Sequence, residues 1–489
     1  MCQHHSKADG RTATGAILLA RLPEAGRSPT QPAAMPQDSG KDHVQVLIKD
    51  ACILTMDNQI GDYACADILI DGDTIAAIGS GLAQCISAPV QTIDGRGKIV
   101  VPGFVDTHHH QFETALRSSL ADGILSGDPA QPEYPNYMER ILGRLAPAYR
   151  PEDVYISELY GSLSQLDAGV TSVLDVSQIH HSPEHTDAAV AALLDAGRRA
   201  VLGYFEGQGL ACRYPHDIFR LQREYFAGTQ SQVTLAMGGE VYLPEWERAW
   251  QLARELGLQI VFHCVGGMGS QAVMDDLISR GLLRDDNLII HMTGINQPAW
   301  KAVAEAGAAI SLAVPIEMAM RHGTPPLLHA QAAGIMPSLS SDVECTMTAD
   351  FFTQMRCALT LQRGLVNELA LEGDHTFAPV SAREVLQWAT IGGARALRLA
   401  SQTGSLSPGK QADLILLDSE ALNVSPLNHA PGAVVTLMER SNVDTVMVAG
   451  RIRKWQGRLV GVDVPSLTRK LEASRDYLFE KAGLARVLF

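Results

Sequence analysis

Between residues 99 and 402, short apolar segments alternate with longer helical ones, and this alternation constrains the fold more than any other feature. Segments such as Ile260–Phe262 and Leu288–Ile290 are continuously apolar, as expected for parallel strands covered on both faces. Eight strand–helix units predict an α/β chain folded as a (β/α)₈ TIM barrel, since no dinucleotide fingerprint or phosphate loop favours an open doubly wound sheet. The candidate strands are Ile99–His108, Val170–Asp175, Ala200–Phe205, Thr234–Gly238, Gln259–Cys264, Leu288–Met292, Ala308–Ala313 and Ser338–Asp342.

Strand-like segments also occur on both sides of the predicted barrel. Val44–Met56 and Ala66–Ile78 precede it, and Ala412–Leu417 and Thr445–Lys454 follow it. Because isolated strands are marginal alone, we expect early and late strands to pair in one small β-sandwich domain. The predicted organisation is a disordered tail over 1–42, a β domain from 43–98 and 403–462, a barrel over 99–402 and a C-terminal helix over 463–489.

The composition excludes several classes of partner. The formal net charge of −15 argues against a nucleic-acid-binding surface or one for anionic membranes. The 8 cysteines include no C-x-x-C pair and are predicted to be free thiols of a reducing, cytoplasmic compartment. No apolar run reaches the roughly 20 residues that a membrane-spanning helix needs. The predicted partner is therefore a small-molecule substrate.

Three consecutive histidines follow the first predicted barrel strand. In the segment VPGFVDTHHH, residues two apart on a strand point to the same side, so His108 and His110 converge while His109 faces away. The carboxyl end of a barrel strand is where active sites lie. Two imidazoles side by side at that place are typical of a metal site.

Further polar residues follow other predicted strands directly. His263, His291 and Asp342 each come after an apolar segment, so all of them are expected at the same mouth of the barrel. Several independent placements at one rim are hard to explain by chance. Three nitrogens and one carboxylate suit Zn²⁺, and Fe²⁺, Mn²⁺ and Co²⁺ are compatible with the same donors.

These motifs resemble those of the amidohydrolase superfamily, in the branch of triazine hydrolases, adenosylhomocysteine and methylthioadenosine deaminases, and phenylurea and thiocarbamate hydrolases. The resemblance covers roughly residues 44–465. The segments that carry it are VPGFVDTHHH, GVTSVLDVS at 169–177, FHC at 262–264, IIHMTG at 289–294, LSSD at 339–342, ATIGGARALRL from Ala389 and GSLSPGKQADLILLD at 404–418.

The resemblance implies a role for each residue at the barrel mouth. The ligands of one divalent metal would be His108, His110, His263 and Asp342. Asp342 would also accept a proton from the water, and His291 would lie near the substrate oxygen as the second catalytic residue. Binuclear members use a carboxylated lysine on the fourth strand, whereas Val233–Tyr242 contains no lysine. A mononuclear site is therefore expected.

The implied reaction is hydrolysis of a carbon–nitrogen bond by metal-bound hydroxide. Deaminases of this branch place a glutamate three residues after the fifth-strand histidine, where this chain has Gly266. This departure favours a small amide, urea or carbamate over the alternative of deaminating a purine, pyrimidine or triazine. A catalytically silent binding barrel is a third hypothesis. The resemblance also implies a homo-oligomer.

Four residues on the predicted loops are candidate substrate-binding residues. Glu113 and Glu317 are candidates for the group that replaces the missing glutamate. His181 follows the second strand and His322 follows the seventh, so both are expected near the barrel mouth.

Overall fold

The structure is a computed structural model that describes residues 45–86, 90–228 and 231–488. The predicted tail over 1–42 lies outside the described residues. The strands are β1 Gln45–Ile53, β2 Tyr63–Asp71, β3 Thr74–Gly79, β4 Val90–Asp94, β5 Lys98–Pro102, β6 Phe104–His109, β7 Val170–Ser177, β8 Arg199–Tyr204, β9 Val233–Gly238, β10 Ile260–Val265, β11 Asn287–Thr293, β12 Ala309–Leu312, β13 Ser338–Leu339, β14 Leu414–Asp418, β15 Val443–Val448, β16 Arg451–Trp455 and β17 Arg458–Leu459.

The α-helices connect and surround these strands. They are α1 Pro151–Asp167, α2 Pro183–Ala196, α3 Ile218–Glu224, α4 Trp246–Glu255, α5 Ser270–Ser279, α6 Gln297–Ala306, α7 Val314–Ala319, α8 Leu327–Ala332, α9 Phe351–Leu371, α10 Ala382–Gln387, α11 Gly393–Ala396, α12 Ala430–Gly432 and α13 Val464–Lys481. Shorter 3₁₀ and π-helical turns lie between them, including Gln111–Leu116 and Met138–Leu145.

Strands β6 to β13 form an eight-stranded parallel sheet in sequence order. The sheet closes where the backbone N–H of Asp342 donates to the carbonyl of His108 at 2.9 Å and the N–H of His110 donates to the carbonyl of Asp342 at 2.9 Å. Each barrel strand is followed by at least one helix. The predicted (β/α)₈ barrel is confirmed. Its buried inward-facing residues include Val105, Val201 and Ile290.

The predicted first strand, Ile99–His108, is two strands in the structure. Strand β5 belongs to the small sheet and β6 to the barrel, and Gly103 separates them. A Cβ at Gly103 would lie 2.1 Å from Thr171 Oγ1, so only glycine lets the chain cross from one sheet to the other here. The C-terminal helix is also shorter than predicted, since α13 ends at Lys481.

The nine remaining strands form a second sheet from both ends of the chain. Strand β14 pairs antiparallel with β5, which joins the late strands to the early ones. Buried residues of these strands, such as Ile48, Ile68 and Leu414, form a separate hydrophobic core. The predicted β domain from both chain ends is therefore confirmed in its topology, and its residue boundaries stay a prediction.

A buried polar network lies between the barrel and helix α1. Arg198 donates to Gln165 Oε1 at 2.7 Å and also to Gln111 Oε1, and Gln111 Nε2 donates to Glu158 Oε2 at 3.1 Å. Asp175 is buried close enough for its charge to act on the Glu158 carboxyl. Burial raises the pKa of both Glu158 and Asp175, so the pair is most stable when it holds a proton.

Replacing Glu158 by glutamine should reduce the loss of stability at alkaline pH. An acid whose pKa is raised on folding stabilises the fold at low pH and loses that contribution as pH rises, by about 1.4 kcal/mol for each unit of the shift. A glutamine amide is neutral at every pH, so it carries no buried charge and does not repel the Asp175 carboxylate. We expect the melting temperature of the wild type to fall more than that of Glu158→Gln between pH 6 and 9, measured by scanning fluorimetry. The prediction would be contradicted if the melting temperatures of the wild type and Glu158→Gln fell equally with pH. It would also be contradicted if the exposed control Glu305→Gln reduced the fall as much as Glu158→Gln does.

No helix among the described residues is long and apolar enough to cross a membrane. Among the described residues, the free thiols include Cys52, Cys65, Cys212, Cys264, Cys345 and Cys357. The cytoplasmic location and the homo-oligomeric state stay predictions.

Candidate active site

The end of strand β6 turns two histidines toward the barrel mouth. Its ladder with β7 pairs Asp106 with Val173 and His109 with Asp175, so one extra residue is inserted between these pairs. Asp106 Oδ1 stabilises this bulge by accepting the backbone N–H of His108 at 3.2 Å. His108 and His110 therefore lie side by side, while the Nδ1 atom of His109 lies 2.9 Å from the carbonyl oxygen of Asp342.

Three imidazoles and one carboxylate meet at this mouth. The Nε2 atom of His108 lies 2.9 Å from Nε2 of His110 and 3.2 Å from Nε2 of His263. Asp342 Oδ1 lies 3.4 Å from His108 Nε2 and 3.6 Å from His110 Nε2. The structure thus brings together all four side chains that the sequence predicts as ligands.

The spacing of these atoms fits a single divalent cation. Bonds of about 2.0–2.2 Å in a tetrahedron place neighbouring ligand atoms roughly 3.3–3.6 Å apart, and the observed separations run from 2.9 to 3.6 Å. Burial and the neighbouring imidazoles hold the pKa of His108 and His110 well below the usual range. Neutral imidazoles with converging lone pairs are the form that binds a metal.

Glu240 holds the third imidazole. It follows strand β9, is fully buried, and its Oε1 atom bonds Nδ1 of His263 while Oε2 accepts the backbone N–H of His263 at 3.1 Å. Burial lowers the pKa of His263, but the charge and hydrogen bond of Glu240 outweigh burial and raise it overall. With Nδ1 held by a carboxylate, Nε2 of His263 faces the cluster as a metal ligand would.

Replacing Glu240 by glutamine should weaken metal binding about 10- to 100-fold, because outer-shell carboxylates orient and polarise the ligating imidazole. The dissociation constant for Zn²⁺, measured by competition with a chromophoric chelator, would show this loss. Glu247→Gln on the exposed face of α4 is the matched control. If Glu240→Gln left the Zn²⁺ dissociation constant unchanged, Glu240 would not be needed to orient His263 for metal binding.

A fourth histidine lies next to the cluster and outside the four predicted ligands. His291 Nε2 is 3.6 Å from Asp342 Oδ2, and its Nδ1 atom is 3.1 Å from Glu317 Oε1. His291 and Asp342 both have left-handed backbone conformations, with φ of 72° and 62°. Such conformations cost energy in non-glycine residues and are concentrated at functional sites.

A cavity of about 510 Å³, including space open to solvent, leads down to the cluster. Its walls are mainly apolar, and Asp342 is the one carboxylate among the described residues that line it. Burial raises the pKa of Asp342 to about 7. The lining residues are His110, Leu125, Tyr137, Met138, Leu142, Gln178, Tyr242, His263, Val265, Met268, His291, Met320, His322, Asp342 and Val343.

Of the four predicted substrate-binding residues, the structure places only His322 in the cavity wall. Glu113 lies behind that wall, where its Oε1 atom accepts the Tyr137 hydroxyl at 2.5 Å. Glu317 lies behind His291. His181 does not reach the cavity, because its Nε2 atom pairs with the carbonyl of Ala146 at 2.8 Å.

A parallel barrel with imidazoles and a carboxylate gathered at its mouth defines a class of metal-dependent hydrolases. The profile of the amidohydrolase family matches residues 99–453, more than half of the chain, and the chain belongs to this family. The predicted enzyme class, a metal-dependent hydrolase of carbon–nitrogen bonds other than peptide bonds, is thereby confirmed.

Relatives of similar length are named as deaminases. A 5-methylthioadenosine/S-adenosylhomocysteine deaminase of Pelotomaculum thermopropionicum is 27% identical over 436 residues, which cover 86% of this chain and 95% of that protein. A 5'-deoxyadenosine deaminase of Methanosarcina mazei is 25% identical over 468 residues, which cover 90% of this chain and 99% of that protein.

Solved structures share the fold. An adenosine deaminase from Xanthomonas campestris with bound zinc has a TM-score of 0.76 and 22% identity, covering 89% of this chain and 99% of the other. Atrazine chlorohydrolase from Arthrobacter aurescens in complex with zinc has a TM-score of 0.75 and 23% identity, covering 88% of this chain and 100% of the other.

Proposed function

We propose that the chain is a mononuclear amidohydrolase that cleaves a carbon–nitrogen bond of a small neutral amide, urea or carbamate. Its metal, proposed to be Zn²⁺, would be held by His108, His110, His263 and Asp342. The observation that carries this proposal is the convergence of these four side chains at the base of a mainly apolar cavity.

The cavity chemistry supports a neutral substrate. Among the described lining residues there is no lysine or arginine to bind a carboxylate or phosphate. Leu125, Met138 and Met320 provide apolar surface that suits an aryl or alkyl substituent.

The residues around the cluster have different roles in the proposed reaction. When bound, the divalent metal lowers the pKa of its water from about 15.7 to roughly 7. Asp342 Oδ1 faces the imidazole pair, while Oδ2 lies toward His291 and is placed to take a proton and return it to the leaving nitrogen. His291, held by Glu317, can polarise the scissile carbonyl through Nε2.

The alternative function is deamination of a purine, pyrimidine or triazine, which the names of the relatives favour. Adding water to such a ring requires protonation of a ring nitrogen. Apart from Asp342, the described cavity lining offers no carboxyl group for that step. This lack favours the amide, urea or carbamate proposal.

A substrate panel with defined products tests the proposal. Anilides, phenylureas and thiocarbamates should release aniline or an alkylamine, which is quantified by chromatography, and a chelator should abolish turnover that Zn²⁺ restores. Release of ammonia from aminated heterocycles alone would replace the proposal by the deaminase alternative. A protein that neither binds stoichiometric metal nor turns over any compound would be a silent binding barrel.

A further inference from the structure

Most polar side chains in the cavity wall already have a partner within the protein. The Tyr137 hydroxyl donates to Glu113 at 2.5 Å. On the other wall, Gln178 Nε2 and the Tyr242 hydroxyl donate to Glu206 Oε1 at 3.0 and 3.1 Å. These donors are therefore already hydrogen-bonded to protein carboxyl groups before a substrate binds.

His322 differs from these groups. It is 5% exposed and lines the cavity, yet neither of its ring nitrogens has a hydrogen-bond partner among the described residues. Its ring centroid lies 4.6 Å from that of His291, which places it beside the reacting centre. A buried polar group without a partner costs stability unless a ligand or water satisfies it.

Backbone atoms occupy the space beside Gly266. A Cβ at Gly266 would lie 2.8 Å from the carbonyl oxygen of Thr293 and 2.9 Å from that of Gly294, so no larger residue fits there without backbone movement. A Cβ at Gly323, next to His322, would lie 3.4 Å from the Cβ atom of Thr293. Among the histidines that line the cavity, His322 is the one with no hydrogen-bond partner for either ring nitrogen among the described residues.

We propose that His322 accepts a hydrogen bond from the N–H group at the scissile bond, so that the enzyme selects substrates whose cleaved nitrogen carries a hydrogen. This inference rests on the proposed function, in which the carbonyl oxygen faces the cation and His291. The cleaved nitrogen is then the polar atom of the scissile group that remains without a partner.

The recognition uses a neutral imidazole. Burial lowers the pKa of His322 to about 3, so the ring keeps one nitrogen as an acceptor and one as a donor. A secondary amide, urea or carbamate provides the matching N–H. An N-methylated analogue has no hydrogen to donate, and its methyl group would leave His322 unpaired.

The test combines substrate and protein changes. 4-Nitroacetanilide and N-methyl-4-nitroacetanilide are compared with the holoenzyme, His322→Leu and His322→Gln by release of the coloured amine. We expect the ratio of kcat/KM values, secondary over N-methyl, to fall about tenfold in His322→Leu. His322→Gln should keep most of the ratio, because its amide oxygen also accepts an N–H. His329→Leu, an exposed histidine on α8, is the control.

Binding without turnover separates this inference from the proposed function. Dissociation constants of the two anilides are measured by calorimetry on full-length Asp342→Asn protein, with and without His322→Leu. A preference for binding the secondary anilide that disappears with His322→Leu supports the inference, whether or not any anilide is hydrolysed. A lack of anilide hydrolysis would count against the proposed function alone. A ratio that His322→Leu leaves unchanged, or no preference or no binding by the parent protein, overturns the inference.

Discussion

Replacing Asp342 by asparagine will lower kcat on the substrate found with the panel by about 10³-fold or more, the scale expected for loss of a group that moves protons in catalysis. The two oxygens of this carboxylate have different neighbours. Oδ1 lies 3.4 Å from His108 Nε2 and 3.6 Å from His110 Nε2, and Oδ2 lies 3.6 Å from His291 Nε2. An asparagine amide can still place an oxygen near the cluster but cannot carry a proton.

The measurement pairs steady-state kinetics with metal content and melting temperature. Asp342→Asn should lose kcat while keeping its melting temperature within a few degrees, and Asp285→Asn, 85% exposed, should behave as the wild type. A variant that retains more than about a tenth of kcat, when proton transfer by a side chain usually contributes 10²-fold or more, would exclude Asp342 as the proton carrier.

Sequence patterns were sufficient to predict the barrel because its strands are buried on both faces. Continuous apolar segments such as Leu288–Ile290 and Ile260–Phe262 leave few alternatives to parallel strands. The strand boundaries were harder, since Ile99–Pro102 is as apolar as the barrel strands and yet pairs with β14 in the other sheet. Pairing partners across about 300 residues are not encoded in local periodicity.

The grouping of His108, His110, His263 and Asp342 at the barrel mouth was predictable for a related reason. Polar residues directly after strands identified His263, His291 and Asp342, and the same rule applied to β9 would have found Glu240. The contact of Glu240 with His263 depends on the packing of β9 against β10, which no local pattern specifies.

The cavity wall could not be predicted in the same way. Tyr137, Gln178 and Tyr242 come from three separate loops, and only tertiary packing brings them together. Likewise, the sequence shows only that glycine stands at position 266 in place of the expected glutamate. In the structure, the backbone of Thr293 and Gly294 occupies the space that a side chain at this position would need. Loop conformation depends on contacts that no local pattern specifies.

Replacing Arg199 by methionine should lower the free energy of unfolding by about 3–5 kcal/mol, the cost of leaving a buried charge without its partner. Arg199 at the start of β8 donates through Nε to Asp413 Oδ2 at 2.8 Å, and both side chains are at most 3% exposed. Asp413 Oδ1 also accepts the backbone N–H of Ala449 at 2.7 Å. This ion pair therefore joins the barrel to the segment that leads into strand β14.

A second variant distinguishes charge from packing. Because an amide oxygen can still accept the N–H of Ala449, Arg199→Met combined with Asp413→Asn removes both charges and keeps that hydrogen bond. The double variant should regain much of the stability lost in Arg199→Met, as measured by urea denaturation followed by tryptophan fluorescence. Arg248→Met, on the exposed face of α4, is the matched control. If the double variant were as unstable as Arg199→Met, the unpaired carboxylate would not be the cause of the lost stability. The loss would then come from the packing of the arginine side chain.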